Sequence, residues 1–287
     1  MKLFLCLGYG YTAQYLAPIL IQNGWRVFGT TRSDEKVAQL REKKIEAILW
    51  SDKDELQNVI NKSDAILVSP TPDENGCPAF LATNKQISQR AREIQWIGYL
   101  SSNGVYGDHT GAWIDEDTIP TPSGARGERR LKAEGQWRQL SEQSGVPVFI
   151  FRLPGIYGPG RSAFERLKNG TATRVVKPGQ VFSRAHVEDI AAAVLASLQK
   201  PDAGRMFNIA DDEPAPPQDV TAYAAELLGI EPPPETPLND ATLSPMARSF
   251  WADNKRVRNT LMKSALGVEL KYPTYREGLR AILEGQS

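Results

Sequence analysis

An apolar pentad, Leu3-Phe4-Leu5-Cys6-Leu7, runs straight into Gly8-Tyr9-Gly10-Tyr11-Thr12-Ala13, and helical periodicity follows as far as Gln22. A buried strand that turns on glycines into an amphipathic helix is the opening unit of a doubly wound α/β sheet. The turn has the form G-x-G-x-x-A. Gly8 permits the tight bend, Gly10 lets the backbone approach a pyrophosphate, and Ala13 is small enough for the helix to pack closely on the strand. The free N–H groups of Tyr11, Thr12 and Ala13, at the positive end of the helix, then receive the anion. The competing reading is a tight turn that serves structure alone.

The same alternation continues down the chain. Short, continuously apolar runs predict strands at Leu3–Leu7, Arg26–Thr30, Ala47–Trp50, Ala65–Val68, Trp96–Ser101 and Val148–Arg152. Longer amphipathic runs predict helices at Thr12–Gln22, Asp34–Lys43, Ala79–Glu93 and Glu128–Gln143. Right-handed crossovers between parallel strands give a Rossmann-like sheet covered on both faces. A helix at Val187–Leu198 and a strand at Met206–Ile209 return to it. Helices at Pro217–Leu228 and Tyr275–Leu283 flank a Pro-rich stretch, 231–237, expected as an ordered loop. The expected organisation is therefore a dinucleotide-binding domain over 1–160, rejoined by 186–209, and a smaller substrate-side subdomain over 161–287.

The end of the second strand decides between two cofactors. NAD enzymes place Asp or Glu there against the ribose 2′-hydroxyl. This chain reads Gly29-Thr30-Thr31-Arg32-Ser33, with Asp34 only later. Arg32 suits a 2′-phosphate, with the Thr31 or Ser33 hydroxyl as a further donor, so NADP(H) is expected ahead of NAD(H). The bland alternative is a solvated arginine.

Several later segments, taken in order, resemble the extended short-chain dehydrogenase/reductase family of NAD(P)-dependent epimerases and dehydratases. Leu49-Trp50-Ser51-Asp52 is similar to a third-strand motif, and the resemblance implies that Asp52 contacts the adenine amine. Asp64 to Pro70 resembles the fourth strand, which brings Ser69 to the cofactor cleft. Tyr99-Leu100-Ser101-Ser102-Asn103-Gly104-Val105-Tyr106-Gly107-Asp108 resembles the family's SSxxVYGD, Phe151 to Arg161 its LRPxxVYGPG, Phe182 to Ala191 its FIHVxDVA, and Phe207-Asn208-Ile209 its YNIG. The resemblance implies Ser101 and Pro154 beside the cofactor and Ser102 at the catalytic serine position.

Two departures from the family pattern stand out. Extended members space their glycines G-x-x-G-x-x-G, and this chain does not. The family also uses Tyr and Lys in a Y-x-x-x-K arrangement, yet none of the nine tyrosines here has Lys four residues on. Aligned on the family's YGxSKLxAE, Arg126 takes the Tyr position and Arg130 the Lys position. Arginine stays charged, with a pKa above ~12, and only donates hydrogen bonds, so it cannot relay a proton as Tyr does. One turn apart on a helix face, the pair suits an anionic substrate, a ribose or a phosphate. Other candidate proton donors are Tyr106, Tyr157, His186 and the pair Asp108-His109, each with a structural reading beside the catalytic one.

Composition narrows the partners. Thirty-four basic residues balance 34 acidic ones, which gives no broad basic surface for nucleic acid or acidic lipid. No run approaches the ~20 apolar residues that span a bilayer, and Gly8 interrupts the N-terminal apolar run too early for a signal peptide. Two cysteines and two histidines offer neither a disulfide framework nor a zinc site, and they suit the cytoplasm. The expected partner is a small molecule. Family relatives dimerise through two helices, for which Ala79–Glu93 and Glu128–Gln143 stand in the right order, so a homodimer is also expected. Two functions remain open: a reductase, epimerase or dehydratase acting on a hydroxyl or carbonyl, and a catalytically silent NADP-binding sensor. A third, an interaction protein using the fold as scaffold, is weaker.

Overall fold

The computed structural model describes residues 1–202 and 204–285. In chain order the elements are β1 Leu3–Leu7, α1 Tyr11–Gln22, β2 Arg26–Thr31, α2 Asp34–Glu42, β3 Glu46–Leu49, α3 Lys53–Ile60, β4 Ala65–Val68, α4 Pro78–Gln89 and β5 Trp96–Ser102. There follow β6 Trp113–Ile114, α5 Ala125–Ser144, β7 Val148–Leu153, β8 Gly155–Tyr157, α6 Ala163–Lys168, β9 Arg174–Val176, β10 Arg184–His186, α7 Val187–Gln199 and β11 Met206–Asn208. The chain ends with α8 Pro217–Leu227, β12 Glu235–Pro237, α9 Pro245–Phe250, β13 Arg256–Val257, α10 Thr260–Leu266 and α11 Tyr275–Glu284.

By contacts the chain forms two compact units. The first takes 1–102, 128–152 and 191–207, and the second takes 103–127, 153–190 and 208–285 of the described residues. The chain thus passes from one to the other five times.

The first unit is built on a seven-strand parallel sheet among the described residues, in the order β11-β7-β5-β4-β1-β2-β3. Its central strands are apolar along their whole length because helices cover both faces: all five residues of β1 and all four of β4 are buried. An aromatic row fixes one face. Trp96 stacks on Phe149 with centroids 6.0 Å apart, lies 5.8 Å from Phe4, and donates its indole N–H to Ser197 Oγ at 3.1 Å. The strand order reverses between β1 and β4, and the crevice beyond their carboxyl ends is where such sheets receive ligands.

The second unit has its own core of Tyr157, Phe164, Ala224, Tyr275, Leu279 and Ile282 with smaller neighbours. Three short parallel ladders, β8 with β10, β9 with β12 and β6 with β13, tie its loops together. The Pro-rich stretch differs from the loop expected of it: Glu235–Pro237 pairs with Arg174–Val176, and Arg174 closes the pair on Glu235 at 2.8 Å. Helix α3 has no counterpart among the sequence expectations. Among the described residues no helix is long and apolar enough to cross a membrane.

Candidate functional site

The glycine turn lies in the first unit and is held from three sides. Gly8 has φ +82°, a conformation that side-chain-bearing residues rarely adopt. Its N–H donates to Thr30 Oγ1 at 2.7 Å, its carbonyl accepts Ser69 Oγ–H at 2.5 Å, and Tyr9 N–H donates to Thr30 O at 2.9 Å. Gly10 is the N-cap of helix α1, and no side chain caps the helix there. Thr12 and Ala13, in the first turn of α1, are buried, and the Tyr11 ring meets Tyr15 edge-on at 5.3 Å.

Gly10 tests whether this turn fits a dinucleotide. Its backbone is extended, which any residue adopts, and a Cβ there would meet only Ser69 Oγ at a comfortable 3.7 Å. The protein itself therefore needs no glycine at this position. The space over Gly10 and the uncapped first turn of α1 suit a diphosphate that approaches from outside, so the residues present fit the group.

At the end of β2, Arg32 is exposed and has no ion-pair or hydrogen-bond partner among the described residues. Thr31 Oγ1 accepts Ser33 N–H at 3.3 Å, and Ser33 Oγ caps α2 by accepting Lys36 N–H. No carboxylate stands at the strand end. Asp52 opens α3, its carboxylate accepting Glu55 N–H at 3.0 Å. That cap is readable as Asp-x-x-Glu, a signal the family-based role for Asp52 overshadowed.

Strand β5 and helix α5 carry the next group. Ser101 is buried and donates to Glu134 Oε1 at 2.6 Å. Glu134 is in turn held by Arg152, Nη2 to Oε2 at 2.7 Å and Nε to Oε1 at 3.1 Å. This buried ion pair joins β5, α5 and β7, and neither of its charged members was among the sequence candidates. The missed signal is an arginine inside Val148–Leu153, because a charge in a fully buried strand requires a partner. Arg130, one turn before Glu134, donates Nη1 to Leu100 O at 2.8 Å and to Tyr99 O–H at 3.2 Å. Ser102 ends β5 half-buried. Arg130 and Ser101 are thus both anchored to neighbours within the first unit. Burial holds the Tyr99 phenol well above the usual tyrosine range, despite the facing Arg130.

The remaining candidates lie in the second unit. Arg126 is exposed and stacks on the Phe250 ring at 4.3 Å. Tyr106 is wholly buried and its hydroxyl donates to Asn208 Oδ1 at 2.9 Å. Tyr157 turns its hydroxyl to Thr274 O at 3.3 Å, and burial, with Asp211 and Asp189 adding to it, pushes its pKa up. Pro154 is half-buried between β7 and β8. His186 packs against Tyr157 and Tyr272 with centroids 5.1 and 4.0 Å away, and its Nδ1 accepts Glu188 N–H. Burial lowers it to about 4, so at neutral pH it is an uncharged packing residue. His109 lies within 3.1 Å of Tyr106 O, and Asp108 accepts Asn254 N–H at 2.7 Å. The structure therefore brings Gly8, Gly10 and Ser69 together at the carboxyl ends of β1 and β4, and it turns the phenols of Tyr106 and Tyr157 inward.

Known proteins agree with this architecture. A profile of the NAD dependent epimerase/dehydratase family matches residues 7–210, and the chain belongs to that family. Protein YeeZ of Escherichia coli K12 is 29% identical over 285 residues, covering 95% of this chain and 97% of its own. A conserved protein of unknown function from Silicibacter pomeroyi superposes with a TM-score of 0.93 at 47% identity, over 100% of this chain and 99% of the other. UDP-glucuronic acid 4-epimerase from Bacillus cereus, in complex with NAD, shares the fold at a TM-score of 0.77 and 16% identity, covering 99% and 98%.

Proposed function

We propose that this chain binds NADP(H) at the crevice beyond β1 and β4 and acts on a hydroxyl or carbonyl of a small polar substrate, sugar-like or anionic, held by the second unit. When bound, the nicotinamide supplies or accepts a hydride. The observation that carries the reading is Gly10: nothing in the protein requires glycine there, whereas a diphosphate over the first turn of α1 does. The preference for NADP(H) rests on Arg32, exposed and without a partner at a strand end that lacks a carboxylate. The complexes of B. cereus UDP-glucuronic acid 4-epimerase with NAD, and of MoeE5 with UDP-glucose and NAD, support dinucleotide use on this fold. Two buried free cysteines suit a reducing cytoplasm. Phe80 of α4 meets Trp137 of α5 edge-on at 5.2 Å, which supports a joint helical face for a homodimer.

Calorimetric titration tests the cofactor. NADP+ is expected to bind more tightly than NAD+, and Arg32→Ala to close the gap by weakening NADP+ about tenfold to a hundredfold, the loss of one charge-assisted pair. Equal affinities in the wild type overturn the NADP preference, and binding of neither nucleotide overturns the whole reading.

The second reading, a silent NADP-binding sensor, is favoured by the inward phenols of Tyr106 and Tyr157 and by the lack of any tyrosine with Lys four residues on. Nicotinamide absorbance followed against nucleotide-sugars, carbonyls and hydroxy acids separates the two. Turnover with any of them excludes the sensor.

A further inference from the structure

The second unit contains an arginine that is fixed at one end and idle at the other. Arg184 begins β10, whose pairing with β8 sets its backbone. Its Nη1 donates to Phe182 O at 2.8 Å and to Ala215 O at 3.2 Å, two carbonyls from separate segments. The guanidinium lies 5.9 Å from the Tyr275 ring centroid, and packing around it lowers its pKa by desolvation. Nε and Nη2 make no hydrogen bond among the described residues, yet they are not sealed from solvent. A mobile surface arginine would not be clamped this way, and a purely structural one would use its outer edge as well.

The acids around it leave that edge open. Asp212 is engaged by Lys263 at 2.6 Å and by Asn259, and Glu213 by Arg276 at 2.8 Å. Asp211 is the remaining acid. Its backbone N–H donates to Arg184 O at 2.7 Å, but both carboxylate oxygens are buried and reach no hydrogen-bond partner. Burial pushes its pKa well up, against the opposing pull of Arg184, and neither of its carboxylate oxygens is hydrogen-bonded to the guanidinium. Tyr157 and Tyr275, whose phenols are also shifted up, add no negative charge at neutral pH. Arg184 is therefore a preoriented cation whose planar Nε and Nη2 edge is hydrogen-bonded to no carboxylate among the described residues, Asp211 acting on it only through its field. That edge matches the geometry of a carboxylate or a phosphate.

We infer that Arg184 is the oxyanion receptor of the second unit, its Nε and Nη2 edge taking a carboxylate or phosphate group of the substrate while Phe182 O and Ala215 O hold Nη1. This assigns the substrate an anionic group, and it rests on the proposed reading that the second unit holds the substrate of a nicotinamide-linked reaction. Arg184 binds and orients and takes no part in proton transfer.

Phenylglyoxal modification of the full-length protein, followed at the peptide containing residue 184, tests the inference. Arg184 is expected to react, and inorganic phosphate or malonate to slow the reaction at least threefold relative to chloride of equal ionic strength. Protection by phosphate alone points to a phosphate ester, and by malonate alone to a carboxylate. An unreactive Arg184, or slowing that chloride matches, overturns the inference. Calorimetry of Arg184→Gln with whichever anion protects should show at least a tenfold weaker affinity, and wild-type affinity there also overturns it. NADP+ titration of the same samples separates the two claims. Protection without NADP+ binding refutes the cofactor reading alone, whereas NADP+ binding without protection refutes the receptor alone.

Discussion

Replacing Glu134 by Leu should cost the first unit about 4 kcal/mol, the usual loss when one partner of a buried ion pair is removed. The structure explains the size. Glu134 and Arg152 are almost wholly shielded, their side chains 0% and 2% exposed, so the guanidinium left behind loses this carboxylate in a site that bulk water does not reach. Two N–H···O bonds and the Ser101 bond disappear together. With an unfolding entropy of about 2.1 cal/mol/K per residue, each kcal/mol corresponds to roughly 1.7 °C in a chain of 287 residues, so Tm should fall by roughly 7 °C. Adding Arg152→Met removes the stranded charge as well. The double variant should recover to within about 1 kcal/mol of wild type, regaining roughly 3 kcal/mol of the single variant's loss as read by urea denaturation. A single variant within 2 °C of wild type would show that the pair is hydrated after all. A double variant no better than the single one would show that the loss comes from packing rather than charge.

His186 makes stability pH-dependent. Its folded pKa of about 4 lies below the ordinary 6.5, so the unfolded chain binds the proton first, and stability should drop by roughly 3 kcal/mol as pH falls through that window. In His186→Asn, which keeps an acceptor for Glu188 N–H, urea midpoints from pH 7 to pH 4 should lose that slope; an unchanged slope would assign it to other groups. Tyr106→Phe deletes a buried hydrogen bond to Asn208 and should cost about 1 to 2 kcal/mol while leaving NADP+ affinity alone; a tenfold change in affinity would contradict its internal role.

Much of the sheet was readable because doubly covered strands must be apolar at every residue. Leu3–Leu7 and Ala65–Val68 appear within the expected bounds, and Arg26–Thr31 is one residue longer than expected. Helix α3 escaped notice because it has only eight residues, with Leu56, Val59 and Ile60 as its buried face. The start of α5 at Ala125, past Gly127, escaped because glycine reads as a breaker until tertiary packing overrides it. In the candidate site, motif positions were legible but side-chain allegiances were not. Sequence spacing places Tyr106 and Tyr157 near the family's cleft motifs, whereas their hydroxyls are claimed by Asn208 and Thr274, 102 and 117 residues away. Contacts of that range leave no periodic trace. The single arginine within β7 was the one local clue to the Glu134 pair.

The five passages between units impose an order on biosynthesis. Strand β7 is finished at Leu153, but the neighbour that covers its outer edge, β11, begins only at Met206. At roughly 5–20 residues per second, a ribosome leaves that row of backbone donors and acceptors bare for several seconds. During this interval a nascent chain can pair with another copy of itself through β7. Slow translation across residues 154–205 should therefore raise the aggregated fraction without altering the finished fold.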